Sequence, residues 1–447
     1  MQERAEKLLG HKPAWISTFH SFAAKVLRQD ITALPGTTYT RRFVIYDEGE
    51  AGKILKEAIK DEGESIDYLD MYASIITSAK QDYQNVRETI LMTPGVGPIA
   101  VRIYDRYRQR LEASNAVDFD DLLYFTVDIF SRNEYVRRKW QSKFGYLLID
   151  EYQDTNGIQL TLTELLAQTM PVVAVGDFMQ SIYGFRGGRV ENIKKYISIF
   201  SPDIIKLEKN YRSKRGILKL ANMIVDRSAN NWEDLLLKLW TDHSEYGKVE
   251  FQQFPSNDIE VSDVADKVIR FHNDGYSYDD FAILVRSRYL MRGFEETFLR
   301  CGIPCELVGA TGFYQRAEIR DMVSYLRFLL NPADRAAFER IINRPKRGFG
   351  DKAVAAIKAA YKSGSWVDAL NTTKLGAKAF AEVQRFIGLV QKHEPNVDGK
   401  PFETLMALLE ELKYQEFLEK VCKDDWDDRW NNVSELANML YTAQTAG

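Results

Sequence analysis

The spacing of apolar residues divides the chain into helical stretches and short apolar runs of strand length. Residues 47–140 repeat apolar side chains at helical spacing, and EGEAGKILKEAIKDEG (48–63) is an example. The residues after about 310 follow the same period to the end of the chain. This pattern predicts two blocks of helices, separated by a part that is richer in strands.

Two apolar runs after the first block, YLLID (146–150) and PVVAVGD (171–177), have the length and composition of buried strands. The segment 156–169 between them has helical spacing, and Asn156 is placed to cap its first turn. A strand, a helix and a second strand in this order predict a β-α-β unit with two parallel strands.

Further apolar runs predict strands at 14–22, 203–210 and 279–287. The first of them ends at Thr18, Phe19 and His20, where a helix begins. Together the patterns predict an α/β protein with two parallel-sheet cores, each carrying a helical attachment.

The composition is that of a folded protein of two to four domains, with 447 residues, 45% of them hydrophobic. The formal net charge of −4 excludes a whole-surface attraction to nucleic acid, so a DNA or RNA site would have to be a local basic channel. Three cysteines are too few for a disulfide framework and indicate a cytoplasmic protein. No apolar run reaches about 18 residues, so no membrane partner is expected.

Carboxylates follow both strands of the β-α-β unit: Asp150 and Glu151 after the first, and Asp177 after the second. Because the carboxyl ends of parallel strands meet at one edge of a sheet, we expect these acids to lie close together. Such a group suits a hydrated magnesium ion bound to phosphates, and one carboxylate could orient and deprotonate water. The alternative is that the acids only solvate a turn.

The residues after Asp177 favour the first interpretation. Gln180 could sense a γ-phosphate, and the glycine-rich loop behind it offers Tyr183, Phe185 and Arg186 for stacking on unpaired bases. The alternative for the two aromatics is a place in the core. Tyr211 and Arg212 stand at the end of another predicted strand, where they could stack on a nucleotide base and contact the transferred phosphate.

Six stretches of the chain together resemble the UvrD/Rep-like superfamily 1 DNA helicases in order and in approximate spacing. They are WISTFHSFAAKVLR (15–28), VDFDDLL (117–123), LLIDEYQDTNGIQ (147–159), VVAVGDFMQSIYGFRGGRVENI (172–193), LEKNYRSKRGIL (207–218) and FYQRAEIRDMVSYLRFLLNP (313–332). RIINRPKRGFGD (340–351) resembles the stretch with which the family grips duplex DNA. The resemblance implies an ATP- and magnesium-dependent enzyme that moves 3′ to 5′ on single-stranded DNA and unwinds the duplex ahead.

The resemblance also implies roles for individual residues. Asp150 and Glu151 would form the magnesium site, with Glu151 activating water, and Asp177 would belong to the nucleotide site. Gln180 and Arg212 would contact the γ-phosphate, and Tyr211 would stack on adenine. Residues expected to bind DNA are Thr18, Phe19, His20, Tyr183, Phe185 and Arg186 for the single strand, and Lys346 and Arg347 for the duplex at a junction.

The implied architecture is two RecA-like motor domains, 1A and 2A, both incomplete, with helical insertions 1B and 2B. The expected boundaries are 1–20 and 143–208 for 1A, 21–142 for 1B, 209–307 for 2A and 308–447 for a truncated 2B. Repair or replication proteins are the expected protein partners.

Two departures from the family pattern stand out. Met179 occupies a position where the family usually has an acid, and no G-x-x-x-x-G-K-[ST] phosphate loop occurs in the 447 residues. We therefore expect a fragment of a longer helicase that is inactive alone. A split helicase, a remnant, a non-catalytic DNA-binding or regulatory subunit, and the motor of a recombination-type nuclease-helicase are the alternatives.

Overall fold

The computed structural model describes residues 2–11, 15–83, 85–182, 184, 188–228, 232–287, 290–308, 313–361, 364–422 and 426–445. The chain forms two compact units. Unit 1 comprises Met1–Ser201 together with Tyr314–Gly447, and unit 2 comprises Pro202–Phe313. Among the described helices, none combines the length and the apolar character that a membrane crossing requires.

The first part of unit 1 is mainly helical, as the spacing predicts. Its helices are α1 (Gln2–Leu9), α2 (Phe19–Asp30), α3 (Glu48–Asp61), α4 (Leu69–Gln81), α5 (Val86–Leu91), α6 (Gly97–Ala113), α7 (Phe119–Arg132), α8 (Glu134–Gln141), α9 (Gly157–Ala167) and α10 (Glu191–Phe200). Their apolar faces build a core of large side chains, and Trp140 is fully buried in it.

Two small parallel sheets join these helices. Strands β1 (Val44–Ile45) and β2 (Ala116–Val117) pair in one sheet. Strands β3 (Leu147–Ile149) and β4 (Val172–Ala174) pair in the other, with Leu147 opposite Val172. The predicted β-α-β unit is thus confirmed, and Asn156 caps α9 by accepting a hydrogen bond from the Gln159 amide at 3.1 Å.

The strand predicted at 14–22 is wrong for its described part. Residues 15–18 form no strand, and α2 already begins at Phe19. The Thr18 hydroxyl accepts a hydrogen bond from the Ser21 amide at 3.2 Å and so caps the helix. A helix cap needs only its own next turn, whereas a strand needs a hydrogen-bonded neighbour.

The second part of unit 1 consists of helices and the turns between them in its described residues, as the spacing after 310 predicts. It contains α14 (Ala317–Leu330), α15 (Arg335–Ile341), α16 (Asp351–Ala360), α17 (Trp366–Thr372), α18 (Ala377–Val397), α19 (Pro401–Glu411), α20 (Tyr414–Val421) and α21 (Trp426–Thr445). Buried aromatic rings hold it together; Trp366, for instance, stacks on Phe338 with ring centroids 4.4 Å apart.

Unit 2 contains α11 (Arg215–Ser228), α12 (Asn257–Asn273) and α13 (Met291–Arg300). The strands predicted at 203–210 and 279–287 are absent from its described residues, where we find only an isolated bridge between Lys209 and Trp240. Most apolar residues of these segments are exposed, and 95% of Leu284 is accessible. An apolar run becomes a strand only when a neighbouring strand completes the hydrogen-bond ladder, which these segments lack.

Candidate nucleotide and DNA site

The two acids predicted to bind magnesium directly follow β3, and both are exposed. Glu151 has a left-handed backbone with φ of 51°, which is uncommon for a residue with a side chain. The Asp150 carboxylate accepts a hydrogen bond from the Glu151 amide at 3.0 Å and stabilises this turn. Backbone strain of this kind concentrates at functional sites, which favours a functional role for the acid pair.

A buried glutamine that the sequence analysis did not single out joins the ends of β3 and β4. Gln153 donates from Nε2 to Glu151 Oε2 at 2.7 Å and accepts from the Asp177 amide at 3.1 Å. A Cβ atom on Gly176 would lie 2.7 Å from Gln153 Oε1, so only glycine fits there without a shift. The position of Gln153 between two acids in LLIDEYQD was the available signal.

The loop after β4 is ordered by Asp177. Its Oδ1 atom accepts from the Met179 amide at 3.0 Å, and its Oδ2 atom accepts from Gln180 Nε2 at 2.9 Å. The Met179 backbone thus makes this contact, and the replacement of the usual acid at this position does not disturb it. The structure brings Asp150, Glu151, Asp177 and Gln180 together at one edge of the sheet through Gln153.

The carboxylates at this edge suit a metal ion whose other ligands are water molecules and phosphate oxygens. No ion pair engages Asp150, Glu151 or Asp177 within the described residues. The described chain also contains no group of three or more His, Cys, Asp or Glu residues that could enclose a metal. Magnesium is usually bound by one or two carboxylates plus waters and phosphate oxygens, so these exposed acids fit it.

The residues predicted to bind a single strand have different surroundings. Thr18 is exposed, whereas Phe19 packs against two apolar clusters of unit 1. Burial lowers the pKa of His20, against a smaller opposing effect of Asp120, so the imidazole is neutral at pH 7. Tyr183, Phe185 and Arg186 lie outside the described residues.

Phe119 is a candidate DNA-binding residue that the sequence analysis did not single out. It is the first residue of α7, and 53% of it is exposed. Its ring lies edge-on to His20, with ring centroids 6.4 Å apart. An exposed aromatic ring beside a predicted DNA residue can stack on a base. The signal was an aromatic residue between the acids of VDFDD.

The two residues predicted to bind duplex DNA are not equivalent. Lys346 is exposed. The Arg347 guanidinium donates to the carbonyl oxygens of Ile341 at 2.7 Å and Ile342 at 3.1 Å, and it lies 4.9 Å from the Phe386 ring centroid. Arg347 therefore holds the loop in shape, whereas Lys346 is available to a phosphate.

In unit 2, Tyr211 and Arg212 lie on an exposed turn. Tyr211 is 78% exposed. Asn210 Oδ1 accepts from the amides of Arg212 at 2.9 Å and Ser213 at 2.7 Å, and Lys209 Nζ lies 5.1 Å from the Tyr211 ring centroid. The turn thus presents an aromatic ring and a guanidinium to solvent.

Two parallel strands that end in acids, joined to large helical blocks, form the arrangement that the sequence predicts for a nucleotide site of the helicase type. Comparison with known proteins identifies the family. Residues 1–201 match the UvrD/REP helicase N-terminal domain, and residues 205–445 match the UvrD-like helicase C-terminal domain. The chain belongs to the UvrD/Rep helicase family.

Curated relatives agree with this membership. The chain is 32% identical over 452 residues to the ATP-dependent DNA helicase PcrA of Staphylococcus aureus, a match that covers 98% of the chain and 61% of the relative. It is 32% identical over 473 residues to the ATP-dependent DNA helicase UvrD1 of Mycobacterium bovis, covering 100% of the chain and 60% of the relative. The chain thus spans about three-fifths of the length of these relatives.

Proposed function

We propose that this chain carries the DNA-binding surfaces and the acidic half of the nucleotide site of an ATP-dependent helicase. The enzyme translocates 3′ to 5′ on single-stranded DNA and unwinds duplex at a junction. The architecture that fits this function has two RecA-like motor domains, 1A (1–20 and 143–208) and 2A (209–307). Helical insertions 1B (21–142) and 2B (308–447) accompany them.

The observation that supports this proposal is that the side-chain amide of Gln153 connects the ends of β3 and β4 by hydrogen bonds. Gln153 contacts Glu151 and the backbone of Asp177, and Asp177 in turn holds Gln180. One edge of the β3–β4 sheet therefore carries the four side chains that we propose for ATP and magnesium, which are Asp150, Glu151, Asp177 and Gln180. A loop fixed in this way keeps its charges in place before substrate arrives, which lowers the cost of reorganisation during the reaction.

Each residue of this edge has a role in the proposal. Asp150 and Glu151 would hold a magnesium ion, which neutralises charge on the phosphates when bound. Glu151 orients the attacking water and accepts its proton, and its carboxylate is held for this by the Gln153 amide. Gln180 contacts the γ-phosphate. From the family resemblance, we also propose Tyr211 for stacking on adenine and Arg212 for a phosphate contact.

For DNA, we propose that Thr18, His20 and Phe119 belong to the single-strand surface, together with Tyr183, Phe185 and Arg186. Phe19 supports it from the core, and Lys346 contacts duplex phosphate at the junction. Repair or replication proteins are the proposed partners, and the cytoplasm is the proposed location.

A non-catalytic DNA-binding subunit is the second candidate, because the 447 residues contain no phosphate-loop motif. Both candidates require binding of single-stranded DNA, but only the helicase requires Glu151 for ATP hydrolysis. If the chain belongs to an active helicase, adding a phosphate-loop motif to the same polypeptide should produce ATP hydrolysis. Glu151→Gln should then abolish this hydrolysis.

The test of DNA binding uses fluorescence anisotropy of a labelled dT oligonucleotide. We expect binding with little sequence preference and a linear fall of log affinity with log salt concentration, because phosphate contacts and base stacking carry the affinity. Phe119→Ala is expected to weaken binding about 5- to 150-fold, which is the loss of one stacked base. Equal affinity of the wild type for single-stranded and blunt duplex DNA would contradict the proposed surface.

A further inference from the structure

A buried lysine at the end of α4 anchors the start of α7. Lys80 Nζ lies 2.6 Å from Asp118 Oδ2 and 2.7 Å from Asp121 Oδ1, and both partners are largely buried. The Tyr107 hydroxyl also donates to Asp118, at 2.8 Å. Burial alone would lower the pKa of Lys80, but the two carboxylates outweigh it and raise this pKa. The lysine is therefore charged, and it is the cation of a buried cluster with two carboxylates.

The same two acids shape the first turn of α7. Asp118 accepts from the Asp121 amide at 2.7 Å, and Asp121 accepts from the Asp118 amide at 3.2 Å, which forms a reciprocal cap. Between them, Asp120 accepts from the Thr77 hydroxyl at 2.8 Å and from Gln81 Nε2 at 3.1 Å. The end of α4 therefore fixes the residues on both sides of Phe119.

Phe119 is the exposed residue within this fixed turn, and its ring meets His20. We propose that Lys80 is a positioning residue for single-strand binding, which acts by holding Phe119 in place to stack on a DNA base. This inference rests on the proposed function. Lys80 is only 1% exposed, so it cannot contact DNA, and any effect on binding must pass through its neighbours. A ring that is already ordered loses less freedom when it binds.

The main test is the double variant Lys80→Met with Asp121→Asn in the full chain. This pair removes one positive and one negative charge, so the net charge of the cluster is unchanged, and asparagine can still accept the capping hydrogen bond. We expect binding of a dT oligonucleotide to weaken by about fivefold or more, within the range of a lost stacking contact. With a 2-aminopurine base in the oligonucleotide, we expect a smaller fluorescence change on binding, because this signal reports base stacking.

A second variant covers the case in which the double variant does not fold. Thr77→Val removes one hydrogen bond to Asp120 and leaves the buried ion pairs intact. We expect it to reduce the 2-aminopurine signal in the same direction. Asp82→Asn is the matched control, because Asp82 stands at the same helix end but pairs with Arg189 at 2.6 Å instead of α7. It should leave the signal unchanged.

The decisive comparison repeats these variants in a Phe119→Ala background. If Lys80 and Thr77 act through Phe119, their substitutions should weaken binding no further there, so the double-mutant cycle should show strong coupling. Additive effects, or wild-type stacking signals in folded Lys80 and Thr77 variants, would overturn the inference and leave the single-strand surface intact. Wild-type affinity in Phe119→Ala would instead remove Phe119 from that surface and the inference with it.

Discussion

At the scale of single residues, Gln153 shows how one side chain can connect the acidic ends of two strands. Its amide is buried and uses its donor for the Glu151 carboxylate and its acceptor for the Asp177 backbone. Gly176 leaves the space that this amide needs. A charged pair at a strand end would be mobile by itself, and the buried amide gives it a fixed partner.

Substitution of Gly176 should therefore cost more while the Gln153 side chain is present. We expect Gly176→Ala to lower the free energy of unfolding by about 1–3 kcal/mol, because the added methyl group overlaps the pinned amide. In a Gln153→Ala background the added cost should be smaller, because only the backbone nitrogens of Tyr152 and Gln153, at 3.2 and 3.3 Å, remain close to the methyl group. Urea unfolding of the four proteins of this cycle measures the coupling, and an equal cost in both backgrounds would contradict the assigned contact.

A second prediction for single residues concerns Lys346, which is exposed. Lys346→Ala should weaken binding to a duplex with a 3′ tail and reduce the slope of log affinity against log salt by about one, because one phosphate contact is lost. Lys374→Ala, which removes another exposed lysine of the same helical block, is the control and should leave the slope unchanged. Affinity for a bare single strand should hardly change with either.

Arg347→Ala should behave differently, since its guanidinium is bound to main-chain carbonyls. We expect a loss of about 2 kcal/mol in the free energy of unfolding, typical for hydrogen bonds of a charged donor. A variant that kept full stability and lost only duplex affinity would make Arg347 a direct DNA contact after all.

At the scale of elements, the two helical blocks of unit 1 meet through buried charges. Arg327 of α14 donates to both Glu50 oxygens of α3, at 2.9 and 3.1 Å, and to Asp334 at 2.9 Å. Tyr46 adds a hydrogen bond to Asp334 at 3.0 Å. Glu50 and Arg327 are 277 residues apart in the chain, so sequence periodicity could predict each block but not this contact between them.

Loss of Arg327 should be more harmful than loss of its partner's charge. Arg327→Met leaves two buried carboxylates without a cation and is expected to cost about 3–5 kcal/mol. Glu50→Gln keeps the shape and should cost much less, because burial raises the pKa of Glu50 above its usual 4.5 despite Arg327. Chemical denaturation at pH 7 compares the two variants, and equal costs would contradict the central role of the arginine.

The raised pKa of Glu50 also predicts a pH effect. The folded protein binds this proton more tightly than the unfolded chain, so stability falls as pH rises from below 4.5 through the raised pKa. The wild type should therefore lose stability relative to Glu50→Gln between about pH 4 and pH 7. Denaturation of both proteins across this range measures the difference, and a difference that grew in favour of the wild type with rising pH would reverse the sign.

At the scale of the whole molecule, the sequence predicts those features that depend on contacts between residues close together in the chain. The β-α-β unit, the Asn156 cap and both helical blocks follow from periodicity and capping chemistry, and all are observed. The strands predicted in unit 2 are wrong for its described residues, because pairing depends on a neighbour that an apolar run does not specify. Gln153 and Phe119 were missed for a related reason: their roles come from what the fold brings beside them.

The last prediction concerns ATP turnover by the whole chain. Phosphoryl transfer in this class depends on backbone amides and a lysine that cradle the phosphates, and the 447 residues contain no such motif. The proposed acidic edge offers carboxylates for magnesium and water but neither an amide cradle nor a lysine of this motif for the phosphates. We therefore expect the purified chain to show no DNA-stimulated ATP hydrolysis above that of its Glu151→Gln variant, measured by phosphate release with saturating oligonucleotide. Robust hydrolysis that Glu151→Gln abolishes would mean that other residues of this chain supply the phosphate contacts.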